Sequence, residues 1–121
     1  MPRSTHRHQP DAKPRLSREA LELVAQRFKA LADPTRLALL QALFAGERTV
    51  QALCEETGVG QANASKHLGL LAEQGIVARR KEGLNAWYRI ADESVRDLCE
   101  VVCGSLARRF EAARAAFEPG A

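Results

Sequence analysis

Between Thr49 and Gly75 the chain reads TVQALCEETGVGQANASKHLGLLAEQG, and this stretch limits the fold more than any other. Thr49 suits the N-cap of a short helix over Val50–Thr57, and Gly58 supplies the left-handed residue that ends it. Val59 and Gly60 carry the chain across, and a second helix runs from Gln61 to about Gln74 before Gly75 stops it. At about 100° per residue, Ala64, Leu68 and Leu71 share one face, with His67 at its margin. Ala62, Ser65, Lys66 and Gly69 take the opposite face, flanked by Gln61 and Asn63. A face so small, polar and basic can approach another surface closely and offer amide, hydroxyl and ammonium donors. Two short helices around a Gly-containing turn form the helix-turn-helix layout that reads a DNA major groove. Any helical hairpin has a polar outer face, so the stretch alone leaves a purely structural reading open.

The following residues weigh toward DNA. Ile76–Lys81 (IVARRK) and Ala86–Ile90 (AWYRI) are strand-like, and Glu82–Asn85 (EGLN) turns between them. Helix, turn, helix and hairpin make a winged helix, with Arg79, Arg80 and Lys81 at the wing, where phosphate contact explains three cations.

The remaining elements follow from pattern. Met1–Leu16 combines Pro2, Pro10 and Pro14 with Arg3, His6, Arg7, His8, Lys13 and Arg15, and reads as a mobile basic arm. Ser17 caps a first helix to about Leu31, with Leu21, Val24, Phe28 and Leu31 at helical spacing. Asp33-Pro34 opens a second helix, closed by Gly46, whose Leu37, Leu40, Leu43 and Phe44 are expected at the centre of the core. Glu47–Val50 can add a short strand beside the hairpin. Asp92 caps a long last helix to about Phe117, carrying Val95, Leu98, Val102, Leu106, Phe110 and Phe117 on one side. The expected fold is mainly α with a small β-hairpin, one winged-helix domain over residues 17–118.

With 121 residues, such a domain buries only about 60–65% of its unfolded surface. Its first and last helices carry more apolar surface than one small core needs, so pairing of both across a two-fold axis is expected. Such a homodimer sets two recognition helices one DNA turn apart, matching a palindromic operator. A net charge of +3 and a pI near 9 are compatible with nucleic acid. No apolar run reaches the roughly 20 residues of a membrane span. The basic N-terminus lacks the apolar core of a secretory signal. Three cysteines in no scaffold spacing fit reduced thiols in a cytoplasm.

FKALADPTRLALLQAL, GERTVQALCEETGVGQANASKHLGLLAEQGIVARRKEG and AWYRI, in this order, closely resemble the ArsR/SmtB family of bacterial winged-helix repressors. The LADPTR and S-K-H-L segments carry most of the likeness, which is dense from Phe28 to Ile90 and holds by pattern on either side. The resemblance implies a homodimer that represses its operator and releases it when a metal ion, an arsenical or a reactive sulfur or oxidant species binds. Carried over by position, Gln61, Asn63, Ser65 and Lys66 meet bases and phosphates. His67 matches the family's histidine, and packing remains an equal reading for it.

The family's inducer positions can be checked against the residues present. The last-helix zinc site needs Asp-x-His followed by further histidines; here Asp97-Leu98-Cys99 stands first, and no histidine follows His67. The thiolate site at the third helix needs Cys-x-Cys, and Thr49 and Gln51 occupy those positions. Cys54 lies one turn on; with His6 or His8 it would make only a weak mixed site, and core packing suits it better. Cys99 and Cys103 remain, four residues apart on one helix and therefore neighbours on its surface. Two thiolates so placed can hold a soft ion such as trivalent arsenic, or undergo oxidation or persulfide chemistry. An S–S bond between them is geometrically awkward. The competing reading is packing, because free cysteine is among the most buried residue types.

Two other function classes compete with this one. A winged helix can serve protein–protein contact alone, its basic wing meeting an acidic partner. An enzyme with a cysteine nucleophile is disfavoured, since no histidine lies near a cysteine in sequence and no Gly-rich phosphate loop is present.

Overall fold

The computed structural model describes residues 15–117. Apart from Arg15 and Leu16, the expected arm lies outside them, as do residue 118 and the histidines of the mixed Cys54 site. The elements run α1 (Arg18–Leu31), α2 (Pro34–Phe44), β1 (Arg48–Thr49), α3 (Val50–Thr57), α4 (Gln61–Glu73), β2 (Val77–Glu82), β3 (Asn85–Ile90) and α5 (Ser94–Phe117). The three strands form one antiparallel sheet in the order β1-β3-β2, so the expected third strand is real but two residues long.

Local chemistry sets the helix boundaries. The Ser17 hydroxyl accepts from the Ala20 N–H at 3.1 Å, opening α1. Asp33 Oδ1 accepts from the Thr35 and Arg36 N–H groups at 2.8 and 3.0 Å, and Pro34 begins α2 with a residue that has no amide to satisfy. Thr49 Oγ1 accepts from Ala52 N–H at 3.1 Å to open α3. Gly58, at φ +77°, ends α3 in the left-handed region, and its N–H returns to the Cys54 carbonyl at 2.8 Å. Asp92 Oδ1 accepts from both the N–H and the hydroxyl of Ser94, opening α5.

The core gathers Leu39, Leu40 and Leu43 of α2, Leu53 of α3, Ala64, Leu68 and Leu71 of α4, Ile76, Val77, Tyr88 and Val95. The expected centre of α2 is corrected here: Leu37 is exposed, Leu39 is fully buried, and Phe44 packs only partly buried at the core's edge. Leucines crowd α2 on nearly all sides, so periodicity alone cannot tell which of them meets α3 and α4. In α1 only Ala30 and Leu31 are buried, whereas Leu21, Val24 and Phe28 face water in the isolated chain. Val102, Leu106 and Phe110 of α5 do likewise.

Arginines tie these elements together. Arg27 of α1 donates to Asp92 Oδ2 at 2.7 Å and to the Gln74 carbonyl at 2.8 Å, joining α1 to the end of α4 and the start of α5. Arg96 of α5 donates to the Phe44 carbonyl at 2.6 Å and lies 4.9 Å from that ring's centroid.

The carboxylates at these junctions titrate low. The Arg36 N–H holds Asp33 below the usual aspartate range, and the Ser94 hydroxyl, then Arg27, does the same for Asp92. Their contribution to stability is therefore complete above the unfolded carboxylate range and is lost as the pH falls through the lower folded values. Urea midpoints at fixed protein concentration are expected to be flat near neutrality and to fall below about pH 4. Asp92→Asn should blunt that fall.

Candidate nucleic-acid interface

The second helix of the pair, α4, is divided between core and solvent. Ala64, Leu68 and Leu71 are completely buried, which fixes the helix's rotation about its axis. Gln61, Ala62, Asn63, Ser65, Lys66 and Gly69 are all exposed on the other side, as the spacing predicts. Nothing lies within 4 Å of a Cβ built at Gly69. The middle of the outer face is thus open and nearly free of side-chain bulk.

His67 sits at the flank, half-buried. Its Nδ1 lies 3.0 Å from Arg36 Nη1. A guanidinium only donates, so Nδ1 is the acceptor and the ring's proton is on Nε2. Arg36 also donates to the Ala30 carbonyl at 2.6 Å and the Lys29 carbonyl at 3.2 Å. His67, for which a DNA contact and a packing role were both open, therefore ties α4 to the α1–α2 junction, leaving only its Nε2 face for an outside partner.

The strand pleat separates the three wing cations. Arg79 pairs with Tyr88 and Lys81 with Ala86, on the face that Val77 buries; Arg80 pairs with Trp87 on the opposite face. Arg79 and Lys81 are exposed. Arg80 Nε and Nη2 donate to Glu47 Oε2 and Oε1 at 2.8 and 3.0 Å, and Nη1 donates to Glu82 Oε1 at 3.0 Å. Its guanidinium carbon lies 5.3 Å from the Trp87 ring centroid. The sequence marks neither Glu47 nor Arg36 as a partner of the interface residues. Their partners lie 33 and 31 residues away, and no local pattern carries such a pairing.

Of the cysteines, Cys54 and Cys99 are partly buried against the core, and Cys103 is exposed. Burial pushes the Cys99 thiol up, and the charge of a Cys103 thiolate adds to it. Among the described residues no three His, Cys, Asp or Glu side chains group to hold a metal ion.

A buried-and-open α4 behind a short helix and a hairpin wing defines a winged helix-turn-helix domain. Residues 31–80 match a helix-turn-helix domain family. The chain is 43% identical over 77 residues to the probable mercury resistance operon repressor of Streptomyces lividans, a match covering 64% of this chain and 62% of that protein. It is 36% identical over 92 residues to the biofilm growth-associated repressor of Xylella fastidiosa, covering 73% of this chain and 81% of that one. Among solved structures it resembles the homodimeric winged helix-turn-helix DNA-binding domain of Mb0332 from Mycobacterium bovis, a possible ArsR-family transcriptional regulator. That likeness has a TM-score of 0.71 and 37% identity, over 84% of this chain and 95% of that one. The chain belongs to the ArsR/SmtB family of winged-helix transcriptional regulators. These relatives are regulators, not enzymes.

Arg36→Ala removes three hydrogen bonds at once and is expected to lower the unfolding free energy by about 1–3 kcal/mol. His67→Ala should cost less, because Arg36 keeps both carbonyls. Urea denaturation of the two variants checks the order.

Proposed function

We propose that this chain is a cytoplasmic, homodimeric transcriptional repressor that binds a palindromic operator in double-stranded DNA and leaves it when an inducer engages Cys99 and Cys103. The open polar face of α4, held outward by its buried leucines, carries the DNA reading. In this reading Gln61 and Asn63 meet base edges, and Ser65, Lys66, Arg79 and Lys81 meet phosphates. The dimer is supported by the apolar faces of α1 and α5. Phe28, Val101 and Phe110 each leave more than half their surface in water, and the Mycobacterium bovis relative is homodimeric.

The thiol pair suits a soft ion content with two sulfur ligands, and the mercury-linked name of the Streptomyces relative favours that chemistry. Trivalent arsenic, which takes three ligands, would need a third donor beyond this pair. Because the Cys99 thiol is pushed up, ion binding must displace protons and tightens as the pH rises.

Titration of labelled DNA from upstream of the chain's own coding sequence tests the reading. Lys66→Ala should lower the slope of log affinity against log salt by about one, and Asn63→Ala should alter base preference by about 1–3 kcal/mol. Gly69→Ala should raise stability by up to about 1 kcal/mol, since helix-interior glycine is unfavourable and the new methyl meets nothing. The same variant should bind DNA less tightly, because the methyl stands where the groove approaches. Unchanged affinity in all three variants overturns the α4 assignment. A wild-type monomer by light scattering at micromolar concentration overturns the dimer. The Cys99→Ser, Cys103→Ser double variant should bind DNA yet ignore mercuric ion, arsenite, persulfide and peroxide, while Cys54→Ser responds normally. Release of the double variant by the same inducer removes the pair from the switch.

A further inference from the structure

The wing holds a cation whose position argues against the phosphate role that its neighbours share. In the order β1-β3-β2, β3 separates β2 from β1. Arg80 on β2 reaches across β3, over the Trp87 ring, and closes a two-pronged ion pair with Glu47 just before β1. Glu82 takes the third guanidinium nitrogen. Arg80 thus faces two carboxylates, and the charge of Arg89 also acts on Glu47. A DNA phosphate recruiting Arg80 would have to break a bidentate pair and leave both carboxylates beside its own charge. Arg79 and Lys81, on the other face of the hairpin, carry no such obstacle.

We propose that Arg80 and Glu47 form a brace that positions the wing, so that an acidic residue outside the hairpin supports DNA binding. The inference rests on the DNA-binding reading above. The brace fixes the tilt of the hairpin against the loop joining α2 to β1, and thereby where Arg79 and Lys81 stand relative to α4. Trp87 supplies the flat surface on which the guanidinium lies. The pair is open to solvent, so its effect lies in orientation more than in bulk stability.

Glu47→Gln gives opposite signs under the two roles. If Arg80 is a phosphate contact, removing Glu47 frees a cation and deletes an anion, and DNA binding strengthens. If the pair is a brace, binding weakens, by about three- to tenfold, although the protein has become more positive. Arg80→Gln should weaken binding to the same extent, and the double variant should be no worse than either single one. Glu47→Arg combined with Arg80→Glu should recover most of the loss. Hydrogen exchange without DNA supplies a separate readout: amides of β2 and β3 near the turn should exchange faster in Glu47→Gln, with those of α2 and α4 unchanged. Stronger or unchanged binding by Glu47→Gln, or unaltered hairpin exchange, overturns the brace. If the wild-type protein binds no duplex while exchange responds as expected, the DNA reading fails and the brace stands.

Discussion

Everything at the proposed interface depends on the burial of Ala64, Leu68 and Leu71 against α2, α3 and the first residues of the wing. A helix of 13 residues has little stability of its own in water, so packing must hold it. Holding it by one face also presents the other. The outer residues add little to folding, and Gly69 detracts from it, which leaves that face free to be shaped by what it meets. The same core that stabilises the domain aims the surface proposed to meet DNA.

The core is small, and long arginine side chains extend its reach. Arg27 links α1 to the end of α4 and the start of α5; Arg36 links the α1–α2 junction to His67; Arg96 links α5 to the end of α2; Arg80 links the wing to Glu47. Each guanidinium satisfies carbonyls or carboxylates that would otherwise stand at element ends. A basic composition in this chain is therefore partly structural. The count of 18 lysines and arginines overstates the cations available to an outside anion, because several already have partners within the domain.

The two helices proposed to pair, α1 and α5, are also tied to α4. Arg27 holds α1 and the start of α5 against the end of α4, and Arg36 holds the end of α1 against its flank. Cys99 of α5 is itself partly buried against the same core that holds α4.

Much of this was legible in the order of residues. Caps at Ser17, Asp33, Thr49 and Asp92, the glycine at 58 and the apolar spacing of α4 are short-range features, and hydrogen bonds within a few residues decide them. The inward and outward faces of α4 followed from helical periodicity, and the wing from β-branched and aromatic runs around a turn. Tertiary structure alone decided that Leu39, not Leu37, fills the core, that His67 is held by Arg36, and that Arg80 is turned away from Arg79 and Lys81 toward Glu47. The reason is range. A cap or a periodic face is set by neighbours in the chain, whereas a guanidinium chooses among carboxylates and carbonyls that only the finished fold brings within 3 Å.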